Sequence, residues 1–321
     1  METTRRQLLL ALAGTAVAGK GFAQGGAFPN RPIRIVVPFT PGSGSDNSAR
    51  YFGDQLAAQL GQAVVVENKP GANGIIALQQ VKNAPADGYM VLLASNSPMA
   101  VNPLTIKDLG YDSVKDYKPI SGLTRGMNVV LVSNDSRFTT IESLLAAAKT
   151  KSLTVGTYSA GYQLAAAWLA NVAGGEFTNV PYKGQAQIMT DVIGNQLDFA
   201  LVDLGGAMPL LKGGKLRALA VSGEGRHPDL PAVPTIREKG FREYVQYSWV
   251  SFYVRSQTPD DVTTKLADAL QKALASDDAR AFVRKTGGEL MPYPPEKMQR
   301  FHLEEIARFR KIAAIANIKP E

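Results

Sequence analysis

Twice in this sequence a short apolar run breaks into a glycine- and serine-rich turn and then resumes with helical spacing. Ile35-Val36-Val37 runs through Pro38-Phe39-Thr40-Pro41-Gly42-Ser43-Gly44-Ser45 to Asp46 and Ala49. The run 153–156 passes through Thr157-Tyr158-Ser159-Ala160-Gly161-Tyr162 to Gln163. Each unit reads as a buried strand, a tight loop and a helix N-terminus. The first amides of a helix lack intrahelical partners, and the aligned peptide dipoles favour negative charge there. Such a loop grips a carboxylate or phosphate through its backbone. One unit stands in each half of the chain, so two facing sheets would hold one small anion between their loops.

The spacing around these units alternates strand and helix. Strands are predicted over 33–38, 63–67 and 90–94, the last opening into Ser95-Asn96-Ser97, with helices over 46–60 and 74–81. A second series starts near Asn128, with strands over 129–132, 153–156, 180–182, 197–202 and 215–221. Thr139 caps a helix running to Lys149, helped by Glu142 three residues on. Further helices carry Leu164, Trp168 and Val172, and cover 188–194. Short apolar strands separated by helices imply an α/β fold of mostly parallel sheets with right-handed crossovers.

The tail reads as purely helical. Pro259 opens a helix with Val262, Leu266, Leu270 and Leu274 on one face, and Pro294-Pro295 opens another with Met298, Phe301, Ile306 and Phe309 inward. With no sheet of their own to cover, these helices are expected to return to the first lobe. Lobe 1 then comprises 24–124 plus 248–321 and lobe 2 comprises 125–247, with crossings near Leu123 and Tyr247 forming a hinge and Trp249 in its core.

Arg5-Arg6, an apolar run over 8–17 and small residues up to Gly21-Phe22-Ala23 read as an export signal over 1–23, cleaved after Ala23. The run is too short to span a bilayer. Thr4-Arg5-Arg6-Gln7-Leu8-Leu9 has the paired arginines of a twin-arginine signal, with general secretion the alternative. The predicted address is the periplasm. The sequence has no cysteine, which excludes disulfides and thiolate catalysis, and its formal charge is +7. Three bases and one acid leave with the signal, lowering that charge to +5. The excess suits an anionic ligand, but no basic run is interleaved with aromatics, so nucleic acid is not expected. Two widely separated histidines and no EF-hand spacing argue against a metal site, and the glycine spacing of 42–45 is not that of a dinucleotide fingerprint. No cofactor is expected.

Ile35-Val36-Val37-Pro38-Phe39-Thr40-Pro41-Gly42 followed by Asp46 and Ala49-Arg50 resembles the first signature of the Bug-type receptors, the solute-binding proteins of tripartite tricarboxylate transporters. The likeness continues in Val65-Val66-Glu67-Asn68-Lys69-Pro70-Gly71-Ala72, Asp87-Gly88-Tyr89, Val180-Pro181-Tyr182-Lys183-Gly184, Gly213-Gly214-Lys215-Leu216-Arg217-Ala218-Leu219-Ala220 and Leu230-Pro231-Ala232-Val233-Pro234-Thr235. The resemblance implies a two-lobed type II periplasmic-binding-protein fold. It implies a monomer that closes on a di-, tri- or aromatic carboxylate and hands it to two integral-membrane transporter subunits, without catalysis.

Carried over by position, Phe39, Thr40, Ser43, Gly44, Ser45 and Asp46 are expected to bind one carboxylate, with Ser95 and Ser97 on the same rim. Ser159, Ala160, Gly161, Tyr162 and Gln163 are expected to meet the other end of the ligand. Lys183 is either a cationic clamp or a solvated turn residue. Asp203 matches a family position facing the cleft, beyond a strand's carboxyl end. Two positions depart from the family. Ser43 replaces a common second glycine, and Tyr162 stands where small residues are usual. With Phe39 and Tyr158, Tyr162 tilts the expectation towards a flat acid. Asp46 is read either as a cap or first-turn residue bonding loop amides or as a ligand contact. Arg34 and Arg50 are read as surface residues.

Two other functions fit parts of the sequence. The same fold could serve as a stand-alone sensor for a signalling partner. Thr157-Tyr158-Ser159-Ala160-Gly161 also resembles a nucleophile elbow lacking its first glycine, with Ser159, Asp203 and His227 in triad order. That reading needs His227 beside Ser159, whereas its place before Pro228 predicts an exposed loop. His302 is expected to be exposed or at a core edge.

Overall fold

The computed structural model describes residues 27–320. The proposed signal at 1–23 lies outside them. The first half supplies strands β1 (Ile33–Val37), β2 (Val64–Asn68), β3 (Met90–Ser95) and β4 (Tyr117–Ser133). After these come β5 (Leu153–Thr157), β6 (Phe177–Pro181), β7 (Phe199–Asp203), β8 (Leu216–Val221), β9 (Tyr247–Arg255) and β10 (Gly288–Leu290). The strand path is β2-β1-β3-β9-β4-β7-β5-β6, with β8 and β10 also paired to β4.

The sequence predicts parallel pairing, and the structure shows it in two places. β1 pairs in parallel with β2 and β3, and β5 with β6 and β7. Everything that joins these two blocks is antiparallel. β3 pairs with β9, and β9 with the first part of β4, from Tyr117 opposite Arg255 to Met127 opposite Tyr247. From Asn128 onward β4 pairs with β7, and from Val129 also with β8. One 17-residue strand therefore runs from one block into the other, where the spacing predicts only a short strand over 129–132.

Nine helices of eight or more residues flank this sheet among the described residues. They are α1 (Gly44–Leu60), α2 (Ile75–Lys82), α3 (Ile141–Ala148), α4 (Ala160–Ala173), α5 (Gln185–Ile193), α6 (Leu204–Lys212), α7 (Asp260–Leu274), α8 (Asp277–Thr286) and α9 (Pro295–Ile315). The cap of α3 is Thr140 rather than Thr139. Its hydroxyl accepts from the Ser143 amide at 3.2 Å while Ser143 Oγ accepts from the Thr140 amide at 3.3 Å. Counting from Thr140 puts Ser143, not Glu142, at the third helical position, where a reciprocal box closes.

The tail is not purely helical, since β10 follows α8 directly and pairs with β4 over Thr124–Gly126. Nor does α9 cover one block alone. Met298 packs in a core with Val36, Leu92 and Tyr253, whereas Phe309, Ile312 and Ala313 pack with Val130, Ala165, Trp168 and Phe199. Between those ends Glu305 accepts the Trp249 indole N–H at 3.0 Å and an Arg308 N–H at 2.6 Å. The last helix therefore bridges both blocks through a mostly apolar seam.

Candidate functional site

The loop after β1 is rigid for reasons visible atom by atom. Gly42 has φ +79°, a left-handed value that side chains resist. Ser43 is extended at φ −69°, ψ 160°, and its hydroxyl accepts the Asp46 amide at 3.1 Å, which makes Ser43 the N-cap of α1. Asp46 closes the loop from inside the helix. One carboxylate oxygen accepts the Gly42 amide at 2.8 Å and Arg50 Nε at 3.0 Å, and the other accepts Asn68 Nδ2 at 2.9 Å. Asn68 also donates to the Phe39 carbonyl at 3.0 Å. Burial pushes the Asp46 carboxyl up, but the bonds from Arg50, Gly42 and Asn68 outweigh it and hold the group below the usual carboxylate range. Both Asp46 oxygens are thus committed to the loop. Arg34 is paired with Glu67.

Ser43 and Asp46 together leave Gly44 and Ser45 at the mouth of α1, where the first amides make no backbone bond. Both residues line a cavity of about 90 Å³. Of the residues expected at the site, Phe39, Ser95, Ser97, Ser159, Tyr162 and Asp203 line it too. Thr40 and Lys183 do not; they line a second space further out, of about 480 Å³. Ala160 and Gly161 are buried at the start of α4, and Gln163 is exposed on its outer side.

The two Gly/Ser units meet directly. Ser97 Oγ lies 2.8 Å from Ser159 Oγ and accepts the Gly161 amide at 3.0 Å. Ser95, at the end of β3, is 5% exposed, and its hydroxyl has no hydrogen-bond partner among the described residues. Tyr158 donates to Tyr162 Oη at 3.0 Å, which lies 3.0 Å from Ser248 Oγ, which donates to Asn128 Oδ1 at 2.8 Å. The two tyrosine rings overlap at 4.6 Å, so Tyr162 narrows the cavity by stacking on its own neighbour.

Electrostatically the cavity is unusual. Among its described lining residues Arg125 is the one cation, and it is engaged, donating to Glu289 at 2.8 Å and lying over the Tyr247 ring at 4.6 Å. Asp203 is the one acid. It caps α6 by accepting the Gly206 amide at 3.0 Å, and burial pushes its carboxyl up against the opposing pull of the Gly206 and Gly205 amides. An anion in this cavity is met by amides and hydroxyls rather than by a free charge.

Sequence reasoning missed Asn96, Thr124, Ser248 and Thr286 in the lining. Asn96 could have been found, since it sits between two serines assigned to the rim. Ser248 and Thr286 belong to β9 and α8, elements that the spacing did not reveal.

The triad geometry is absent. Ser159 meets Ser97, while His227 receives the Asp229 amide at Nδ1 (3.1 Å) and pairs through Nε2 with the Gly287 carbonyl at 3.1 Å. Those two bonds also explain why His227 is buried rather than in an exposed loop. His302 is fully buried against the Met99 carbonyl at 3.0 Å, and burial lowers its pKa.

Residues 48–318 match the family model described as the tripartite tricarboxylate transporter family receptor. A UPF0065 protein of Bordetella bronchiseptica is 35% identical over 300 residues, 93% of this chain and 89% of that one. Among solved structures, Rpa4515 of R. palustris with adipate superposes with a TM-score of 0.88 at 32% identity, covering 92% of this chain and 100% of that one. The periplasmic binding protein BugD superposes at 0.86 and 28% identity, covering 92% of this chain and 100% of the other. No helix among the described residues is long and apolar enough to cross a membrane.

Proposed function

Because the chain belongs to the tripartite tricarboxylate transporter receptor family, a family of periplasmic solute-binding proteins, we propose that it captures a small carboxylated metabolite in the cavity between Ser45 and Tyr162 and delivers it to a membrane transporter of that tripartite type. The supporting observation is Ser95. A buried hydroxyl without a partner costs stability unless something arrives to bond it, and this one faces a cavity that also holds the mouth of α1. The structure of the R. palustris relative was solved with adipate, a carboxylate of the expected kind.

The mechanism is a two-state clamp. The lobes are 24–124 with 248–321 and 125–247, connected through β4 and β9. In the open state the two Gly/Ser loops separate, and the ligand first meets one of them. Only the closed state offers contacts from both, so ligand binding shifts the population towards closure. The transporter subunits then recognise the closed outline. The mature chain begins after an export signal over 1–23 and works in the periplasm.

Thermal melting of the mature protein against mono-, di-, tri- and aromatic carboxylates tests this reading. A ligand at a hundredfold excess over its Kd adds about 2.7 kcal/mol and shifts the melt visibly. A shift confined to one acid class supports a receptor for that class. A flat panel counts against carboxylate capture.

A further inference from the structure

We propose that the ligand carries two separated anionic groups, and that the second is held outside the inner cavity, in a vestibule where Lys183 is the counter-charge. The inference rests on the receptor reading above and narrows it.

The vestibule is the 480 Å³ space. Pro38, Thr40 and the loop 70–74 bound it on one side, and Tyr182 and Lys183 on the other. Phe39 and Tyr158 belong to its wall and to the wall of the inner cavity. The two spaces therefore meet across one aromatic pair, with rings 6.2 Å apart and edge to face. A flat or extended ligand can pass beside that pair and occupy both.

Charge decides where each end goes. The inner cavity offers amides, hydroxyls and the Asp203 carboxyl, with Arg125 already engaged. A single carboxylate can be met there, but a second would face Asp203 with no free cation. The vestibule is the reverse case. Among the described residues no acid lines it, and Lys183 makes no ion pair. The nearby Asp191 is taken up by the Tyr182 hydroxyl at 2.5 Å.

A lysine on a turn is ordinarily just solvated, and two features separate Lys183 from that case. Its neighbour Gly184 lies so close to the first loop that a Cβ there would stand 2.5 Å from Thr40 Oγ1. The lysine backbone is therefore fixed against the opposite wall. Across the space, Ala72 and Asn73 hold consecutive left-handed conformations, φ 45° and 52°, where residues with side chains are uncommon. Such backbone persists where the surroundings over-determine it, and it clusters at ligand clamps.

The test is calorimetry on the native protein, Lys183→Gln and Lys183→Arg with matched acids. The probes are the straight-chain dicarboxylates from succinate to suberate and the monocarboxylates of equal length, with terephthalate and benzoate as the aromatic pair. The expected result is a native preference for one dianion over its monoanion. Lys183→Gln should remove about tenfold or more of that preference and much of its salt dependence, while Lys183→Arg retains it. Monoanion affinity should stay within about twofold. Equal losses for both members of a pair, no loss for either, or a native protein that binds monoanions as tightly as dianions would each overturn the vestibule assignment while leaving the receptor reading intact. A native protein that binds neither series overturns the receptor reading and the vestibule with it. Melting temperatures of the variants establish that they fold.

Discussion

Ser97 and Ser159, 62 residues apart in sequence, share a hydrogen bond of 2.8 Å across the cavity mouth. The bond joins the turn after β3 to the loop before α4, so the arrangement seen is one in which the two Gly/Ser units touch. Glycines make the approach possible. A Cβ on Gly161 would lie 2.4 Å from Ser97 Oγ, and one on Gly205 would lie 2.4 Å from the Thr286 carbonyl oxygen. With Gly184, these are three positions at or near the N-termini of α4, α5 and α6, each meeting an atom from lobe 1 as proposed.

Gly205→Ala separates closure from local strain. Ser97 can rotate its hydroxyl away from a new methyl, but the Thr286 carbonyl is backbone and cannot. Gly205 has no positive φ, so alanine suits its own backbone. The variant should weaken binding of the acid found by melting about tenfold or more, about 1.4 kcal/mol. It should also enlarge the radius of gyration of the liganded protein by X-ray scattering. Native affinity with native compactness would mean that this contact is not part of closure.

Ser95→Ala should act with opposite signs on the free and bound protein. Removing a buried hydroxyl that has no partner relieves desolvation, so the free protein should melt at the same temperature or higher. Ligand affinity should fall by about 0.5–1.5 kcal/mol, the net worth of one hydrogen bond. A destabilised free protein with unchanged affinity would make Ser95 structural.

The two loop acids should answer pH in opposite directions. The folded pKa of Asp46 is depressed, so its contribution is present above the unfolded value of about 3.9 and is lost as pH falls towards the lower folded value. Asp46→Asn should melt lower than the native chain at pH 7, and the gap should shrink below about pH 4. Asp203 is raised by burial. Its stabilising share is complete only below about pH 3.9 and is lost as pH rises through the folded value. Asp203→Asn, which keeps a competent cap, should therefore melt at or above the native temperature at pH 7, with the gain vanishing in acid. Parallel pH–melting curves for all three proteins would refute both assignments.

How far the sequence could be read depended on whether core and polarity coincide. Around α1 they do. Ala49, Phe52 and Leu56 are buried at helical spacing, and the loop before them consists of residues with local tasks that can be named in advance. In the first part of β4 they do not. Ser121 and Gly122 lie in the core, Ser121 bonding Ser251 and Gln271, and Gly122 leaving room for the Met291 carbonyl, which would lie 2.7 Å from a Cβ. A buried strand made of serine, glycine and proline has no apolar alternation to read, so the antiparallel joint between the blocks was invisible. The same holds for His227, whose burial depends on the distant Gly287 carbonyl. At the site, residue types within the two loops were legible, but the division of space was not. Only the fold shows that Thr40 and Lys183 line an outer chamber and Ser45 and Ser95 an inner one.

The last helix offers a test of the seam between the blocks. Phe309 is 1% exposed and packs with Val130, Ala165 and Phe199, far along the helix from Met298 in the other core. Phe309→Ala removes a full aromatic ring from a close-packed site that cannot collapse while Glu305 is fixed to Trp249 on the preceding turn. The expected loss is about 3–5 kcal/mol in urea unfolding. If α9 braces both blocks, the variant should still unfold in one transition with a lower midpoint and an unchanged slope. Two transitions would show that the blocks are coupled only through that end of the helix, and a loss below about 1 kcal/mol would show that the C-terminal half of α9 is not part of the core.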